Sequence, residues 1–420
     1  MSREGLEVKF LTNLIPGNSI DNIAKNIAKI KPYLAQRDGN DRILPKARVI
    51  EVIYLGVVTN FSLFRTEGTS TIDTVELPKS KLTTPVIMPQ KIVAIARRKL
   101  TELLRRYSKL EPDKMKKYIC DALKLKYIKP VMHLNINLPQ GFDYNNIANI
   151  EANDNEVKIT YEKGRNKNEK QHYSCSSIPQ VSWDCWIQPP IEQGTDLGMD
   201  TYCPACVIFG AVLTNRDNIH LNSAGGSLNV GIKSRIAMDP AFSLYPRYEF
   251  RTHQKVAEGT LSNTGMSLYK EPHMIPGSLV IGKMAFYDVT EAEMVAVLQA
   301  LISAYRQGGR QSRYGGLEVY PIALSAGSFE RISALSLAEA LVSEEVKPLD
   351  EAVEATLGRL DNRFIRLVEP SNGYQFVFRN KLLSILDDES QFKSLYAELW
   401  EDAIEFDRAL VDRIIQLKSS

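Results

Sequence analysis

The chain has 420 residues, 44% hydrophobic and 24% charged, an ordinary make-up for a soluble protein with a full core. No apolar run reaches the roughly 18 residues of a membrane helix, and Arg3, Glu4, Glu7 and Lys9 interrupt any signal-peptide core, so a cytoplasmic protein with no membrane partner is expected. The net charge of +2 hides a polarity: residues 76–130 carry 15 Lys and Arg against 5 Asp and Glu, and residues 330–420 carry 11 against 18. A basic segment and an acidic tail in one molecule suit nucleic acid on one face and a neighbouring subunit on another.

In chain order, a short helix is expected over 19–31, where Ile20, Ile23, Ala24, Ile27 and Ile30 recur at helical spacing. Residues 48–64 are dense in β-branched and aromatic side chains (Val49, Ile50, Val52, Ile53, Tyr54) and predict a long buried strand at the centre of a sheet. After Phe64-Arg65-Thr66-Glu67-Gly68-Thr69 and a polar loop, an amphipathic helix is expected over 90–110, buried along Ile92, Ala96, Leu100, Leu103, Leu104 and Tyr107. Lys91, Arg97, Arg98, Arg105 and Arg106 lie off that stripe, a cluster that can follow a sugar-phosphate backbone.

Residues 131–230 break the alternation of strands and helices and are expected to be an insertion whose first half, 141–171, is a polar, exposed lobe. Residues 231–278 open with Lys233-Ser234-Arg235 and continue with alternating aromatics and charges (Phe242, Tyr245, Arg247, Tyr248, Phe250, Arg251), which predicts a β-ribbon. A strand over 279–287 leads to a helix over 290–307, opened by Thr290 and Glu293 as a capping box. The turn from Gly308 to Gly316 then combines four glycines with Arg310 and Arg313, backbone freedom with planar donor forks that suit phosphate. A strand over 317–324 and an acidic helical tail from Ile332 complete the chain. With one or two strands hidden in the insertion, strand, helix, insertion, strand, helix, strand is the split β-α-β order of a ferredoxin-like sheet, a scaffold that commonly supports RNA recognition.

Four of the five cysteines fall within 175–206, which argues against a secreted disulfide framework. Cys203-Pro204-Ala205-Cys206 has the spacing at which two thiolates grip one tetrahedral zinc, and any two of His172, Cys175 and Cys185 can complete the set. A structural zinc would add roughly 10 kcal/mol or more to the ordering of this lobe. A redox C-x2-C pair is the rival reading.

The Phe64–Thr69 segment with its basic helix, Cys203-Pro204-Ala205-Cys206-Val207-Ile208-Phe209-Gly210, Lys233-Ser234-Arg235, Thr264-Gly265-Met266-Ser267-Leu268 and Ser312-Arg313-Tyr314-Gly315 occur here in one order. Together, over about residues 48–326, they resemble the backbone subunit of CRISPR effector complexes, most closely the type I-D member of the repeat-associated mystery protein (RAMP) superfamily. The resemblance implies an α+β fold with a modified ferredoxin-like, RRM-like palm (1–130 and 279–330), an inserted finger or zinc lobe (131–230) and a β-ribbon thumb (231–278); the acidic helical C-terminal region (331–420) is read from composition and matches no motif of the family.

It implies copies that polymerise head to tail along a guide RNA and present it to a target DNA strand, beside other CRISPR effector subunits. The implied guide contacts are Arg65, Lys91, Arg97, Arg98, Lys233, Ser234, Arg235, Gly309, Arg310, Arg313 and Tyr314, converging on one groove, with Tyr248, Phe250 or Met266 as a wedge between bases. A guide-processing endonuclease of the same superfamily is disfavoured, because the first histidine, His133, lies far past the first strand. Related backbone subunits cut bound target with an acid in the loop after the first strand, which makes Asp73 a weak catalytic candidate and Mg2+ a cofactor only in that case.

Overall fold

The computed structural model describes residues 8–64, 72–118, 203–213, 230–255, 267–305 and 315–419, apart from Asn18 and Lys116, together with the backbone of short strands between 134 and 183 and at 220–221 and 226–227. One antiparallel sheet organises it. In chain order its strands are β1 (Val49–Val58), β2 (Thr74–Glu76), β3 (Thr83–Ile87), β4 (Ile236–Met238) and β5 (Ala241–Ser243). A separate hairpin of β6 (Glu249–Lys255) and β7 (Ser267–His273) follows, then β8 (Leu279–Tyr287), β9 (Leu317–Gly327) and β10 (Ile365–Arg366) return to the sheet. The order across the sheet is β10-β9-β1-β8-β5-β3-β2, with β4 also paired to β8. The expected central strand is thus central, although it ends at Val58 and the chain beyond it leaves the sheet.

Alternate side chains of β1 enter two different cores. Ile50, Val52 and Tyr54 belong to one apolar cluster, Ile53 and Leu55 to the other. Burial on both faces is why the strand reads as a continuous apolar run rather than an alternating one.

Among the described residues, the helices of six residues or more are α1 (Ile20–Ile30), α2 (Pro89–Leu110), α3 (Pro204–Phe209), α4 (Glu291–Ser303), α5 (Ala334–Leu341), α6 (Leu349–Leu357), α7 (Val377–Asp387) and α8 (Glu389–Ser419). Pro89 opens α2 at a position where its missing N–H is no loss. Thr290 and Glu293 make both bonds of the capping box on α4, which ends at Ser303, ahead of the expected 307. α2, α3, α4, α7 and α8 share the first cluster; α5 and α6 share the second and cover the sheet's other face. The tail from 332 is therefore not helix alone and not a separate appendage: it includes β10 and a small hairpin, and it clothes both faces. Within the insertion, backbone strands Ile147–Ala152, Glu156–Glu162 and Asn168–Ser174 form an antiparallel meander where a polar, turn-rich lobe is expected.

Two buried ionic networks fix these layers. In one, Arg42 and Glu293 pair at 2.7 Å, Arg48 and Asp288 at 2.6 Å, and Thr290 Oγ1 donates to Asp402 at 2.5 Å, tying residues 37–48 and α8 to the start of α4. In the other, the Lys283 ammonium on β8 lies among Glu51 (3.8 Å), Asp239 (3.5 Å) and Glu330 and donates to the Ile332 carbonyl at 2.8 Å. Glu51 in turn accepts from Ser325 Oγ and the Arg331 amide, which clamps the approach to α5 onto the sheet.

Candidate nucleic-acid interface

At the end of the sheet where β1 finishes and β8 and β9 begin, three distant segments are laced together. The Val58 amide donates to the Ser278 carbonyl, the Thr59 amide to Gly316 at 3.1 Å, and Ser62 exchanges backbone bonds with Met274 at 3.2 and 2.8 Å. The Gly316 amide donates to Ser62 Oγ at 3.2 Å. A Cβ on Gly316 would come within 2.2 Å of Thr59 Oγ1, so this approach needs glycine.

From this lattice spring the stretches that carry the sequence candidates. The segment holding Arg65 is anchored by the buried side chains of Phe64 and Ile72, and the segment from 306 to 314 is closed at its base by a bond from the Leu317 amide to the Tyr305 carbonyl, 3.1 Å. Arg65, Gly309, Arg310, Arg313 and Tyr314 themselves lie outside the described residues. Asp73 stands at the foot of the first stretch, its amide donating to the Phe64 carbonyl and its carbonyl accepting from Val86.

The expected β-ribbon stands at the same end as the β6–β7 hairpin, with Met266 beyond the described residues. The ribbon is expected over 231–278, but β4 and β5 in its first part join the main sheet, and only the later part stands apart. The base of the hairpin presents aromatic and cationic groups to solvent. Phe250 is 62% exposed and meets Tyr248 edge to face at 5.7 Å, and the Arg251 guanidinium stacks 3.4 Å over the Phe61 ring. Sequence reasoning had no means to place Phe61, because its stacking partner lies far along the chain. The alternation of aromatics and charges from Phe242 to Arg251 was the available signal.

The remaining candidates gather elsewhere. Arg97 on α2 donates to the Gly210 carbonyl at 3.3 Å and touches Cys206 Sγ at 3.6 Å. Gly210, at φ +84°, lies so close to the Ser234 amide that a Cβ would approach it to 2.8 Å. Lys233 and Arg98 are exposed and Lys91 is half-buried. The Ser234 hydroxyl is committed locally, accepting from the Ile236 amide and donating to its carbonyl.

Arg235 is not at a surface. Only 6% exposed, it donates to the Asp288 and Arg42 carbonyls at 3.2 and 3.3 Å, lies 3.8 Å from Glu293 and stacks 4.5 Å over Phe406. Burial pushes its guanidinium down to about 10 against the pull of Glu293. It belongs to the ionic network beneath α4, so the Lys-Ser-Arg triplet offers solvent one cation.

The Arg235 amide bonds to Ile208, and the Tyr287 amide bonds to the Arg235 carbonyl, so this second group sits at the far end of β8 from the lattice around Ser62. Nine strand residues, at about 3.3 Å each, separate the two ends by roughly 30 Å. Among the described residues, Lys91, Arg97, Arg98 and Lys233 thus stand about one strand length from Arg251 at the hairpin base.

Cys203 and Cys206 are both buried, on the residue before α3 and in its first turn. His172 belongs to the backbone strand Asn168–Ser174; its side chain, Cys175 and Cys185 lie outside the described residues. Among the described residues no three His, Cys, Asp or Glu side chains gather as a metal site. Two buried sulfurs three positions apart, one of them beside the Arg97 guanidinium, are the half of the expected zinc donor set that the described residues contain.

A family model described as Csc2 Crispr matches residues 31–399. No curated protein matches the chain. Among solved structures, the crystal structure of Thermofilum pendens Csc2 aligns at 27% identity and a TM-score of 0.61, covering 93% of this chain and 98% of that one. A chain of a CRISPR RNA-guided surveillance complex in a pre-nicking state aligns at 10% identity and a TM-score of 0.35, over 74% of this chain and 87% of its own. Another, from a CRISPR RNA-guided surveillance complex, aligns at 9% and 0.34, over 73% and 81%.

Proposed function

Because the chain belongs to the Csc2 family of CRISPR proteins, we propose that it is a guide-RNA-binding backbone subunit of a type I-D effector complex, whose copies stack head to tail along the guide in the cytoplasm and present it to a target DNA strand. The observation that carries the guide-binding part is that Phe64 and Asp73, Tyr305 and Gly316, the residues that flank the two sequence candidates, meet at one end of the sheet beside an aromatic-based hairpin. Loops on a rigid scaffold are where binding residues are placed. Stacking rings beside cations hold a single strand without reading its sequence, which is what a subunit that delegates specificity to base pairing requires.

The palm reading is supported by strand order. β9-β1-β8-β5, with α2 and α4 packed in one layer, is the arrangement of a ferredoxin-like sheet, and its fourth strand, expected within the insertion, is β5, just after it. Its use differs from a simple RRM in that α5 and α6 cover the other face, and in this reading RNA is bound by the rim and the hairpin instead. A single strand with a site of several nucleotides is long enough to run from the hairpin base to Lys233. The hairpin is the thumb in this reading, and Lys233, Arg97, Arg98 and Lys91 line the far stretch of the track; Arg235 supports it from within. Cys203 and Cys206, with two of His172, Cys175 and Cys185, would hold a structural zinc that orders the inserted lobe.

The test is purification of the full chain with partner subunits and a guide. Copurifying small RNA and rods in electron micrographs are expected, and the absence of both overturns the reading.

A further inference from the structure

The helix α1 outruns the surface it packs on. At its C-terminal end Ile30 is buried and Ile27 packs against the first cluster, whereas at its start Ile20 is 85% exposed. Ser19 accepts from the Asn22 amide at 3.3 Å, so the first turn is capped without help from the core. The outward face carries Ile20, Ala24 and Ala28, four positions apart and all exposed, beside a second exposed row of Asp21, Lys25 and Lys29. Lys25 and Lys29 make no ion pair among the described residues.

A surface of complementary charge lies on the other side of the sheet. Between α5 and α6, and along α6, Glu344, Glu345, Asp350, Glu351 and Glu354 are exposed around Val346, itself 47% exposed. Two cations stand among them, Arg247 at 3.4 Å from Glu344 and Lys347 at 3.5 Å from Glu351, but both of these carboxylates are more than half exposed, so water and salt screen the pairs. Glu345 and Glu354 make no ion pair among the described residues. Whereas Glu398, Glu401 and Asp402 are engaged by Lys9 and Arg37, these acids of the tail face outward. Ala352 and Val353 seat α6 in the second cluster, so the sheet stands between this patch and α1, and one chain cannot bring the two together. A second copy set down in the same orientation can. Contact between unlike patches on opposite sides does not close on two copies but repeats in one direction.

We propose that α1 of one copy docks on the 344–354 surface of the next, Lys25 and Lys29 against Glu345 and Glu354, and the row from Ile20 to Ala28 against Val346. The inference rests on the head-to-tail reading above and deepens it by naming the two surfaces that meet. Neither surface includes a proposed guide contact.

The test uses the full chain with guide RNA and three variants of exposed residues: Lys25→Glu/Lys29→Glu, Glu345→Lys/Glu354→Lys, and the two pairs combined in one chain, with melting curves to confirm folding. An RNA just long enough for one copy measures the affinity change that altered net charge alone produces. On an RNA that holds several copies, wild type is expected to bind cooperatively and to form rods. Either double reversal should lower the copy-to-copy association by about 10-fold or more beyond the single-copy change, because two exposed attractions become repulsions of similar size. The combined variant, with the charges exchanged between the two patches and the net charge of wild type, should recover both cooperativity and rods. If wild type forms rods and either double reversal forms them equally well, or if the folded combined variant restores nothing, the two surfaces are not partners and the proposal is wrong. If wild type binds the long RNA without cooperativity and forms no rods, the head-to-tail reading itself fails, and the proposal with it.

Discussion

Replacing Arg235 by alanine separates the two roles its sequence position allows. The side chain makes two charge-assisted bonds to carbonyls, each with a net worth of about 1.5 kcal/mol or more, and stacks on Phe406 in a desolvated setting. Removing one member of a buried ionic group typically costs about 3–5 kcal/mol. Glu293 keeps Arg42 at 2.7 Å, so the charge left behind is still partly compensated, and about 3 kcal/mol is the expected loss. Lysine at 235 should not restore it, because a point ammonium cannot span both carbonyls and stack at once. The assay is equilibrium urea unfolding of RNA-free protein, paired with guide titrations in varied salt at a temperature where the variant is folded. A large fall in the urea midpoint with an unchanged salt slope is expected. Unchanged stability together with a slope smaller by about 0.7 would mean that Arg235 contacts phosphate, and the reasoning from burial would be refuted.

Lys233→Ala, two residues away, should do the reverse: stability within about 0.5 kcal/mol of wild type and a reduced salt slope for guide RNA. Phe250→Ala at the hairpin base is expected to weaken guide binding by about 1–3 kcal/mol with little change in the salt slope, as loss of a stacked base would; equal affinity would remove the hairpin base from the track. Lys283→Met should lower stability by about 3–5 kcal/mol, because it strands the buried Glu51, and adding Glu51→Gln should recover part of that; no recovery would show that packing, not charge, is at stake. Burial, opposed by Arg42, lifts Asp402 to about 6 from an ordinary 3.8. A raised folded value means that the protonated form is favoured by folding, so this contribution is complete below about pH 4 and fades as pH rises through 6, by about 3 kcal/mol in total. Asp402→Asn should therefore unfold like wild type at pH 4 and resist urea better at pH 7; an equal gap at both pH values would contradict it.

What the sequence made legible was local. The long apolar run of β1, the helical stripe of α2 and the Thr290–Glu293 box on α4 each follow from neighbours within a few residues, and each stands where periodicity puts it. The strands β4 and β5 were not visible, since three residues are too few to show a period. Nor was the covering of the sheet's second face: it depends on Lys283 meeting Glu51, Asp239 and Glu330, partners drawn from three separate parts of the chain.

The same limit governs the charges. Counting acids in 330–420 suggested a surface for a neighbouring subunit, yet Glu398, Glu401 and Asp402 are occupied by Arg37 and Lys9 from the other end of the chain. Lys233 and Arg235 looked equivalent as cations flanking a serine. They part because the backbone turn at Ser234 sends one outward and the other toward Glu293 and Phe406, which lie 58 and 171 residues further on. A basic side chain gives most to an external phosphate where the fold commits it least, and Arg97, which spends one donor on the Gly210 carbonyl, has less to give than the exposed Lys233. Lys233 is therefore the cation on which the proposed contacts most directly depend.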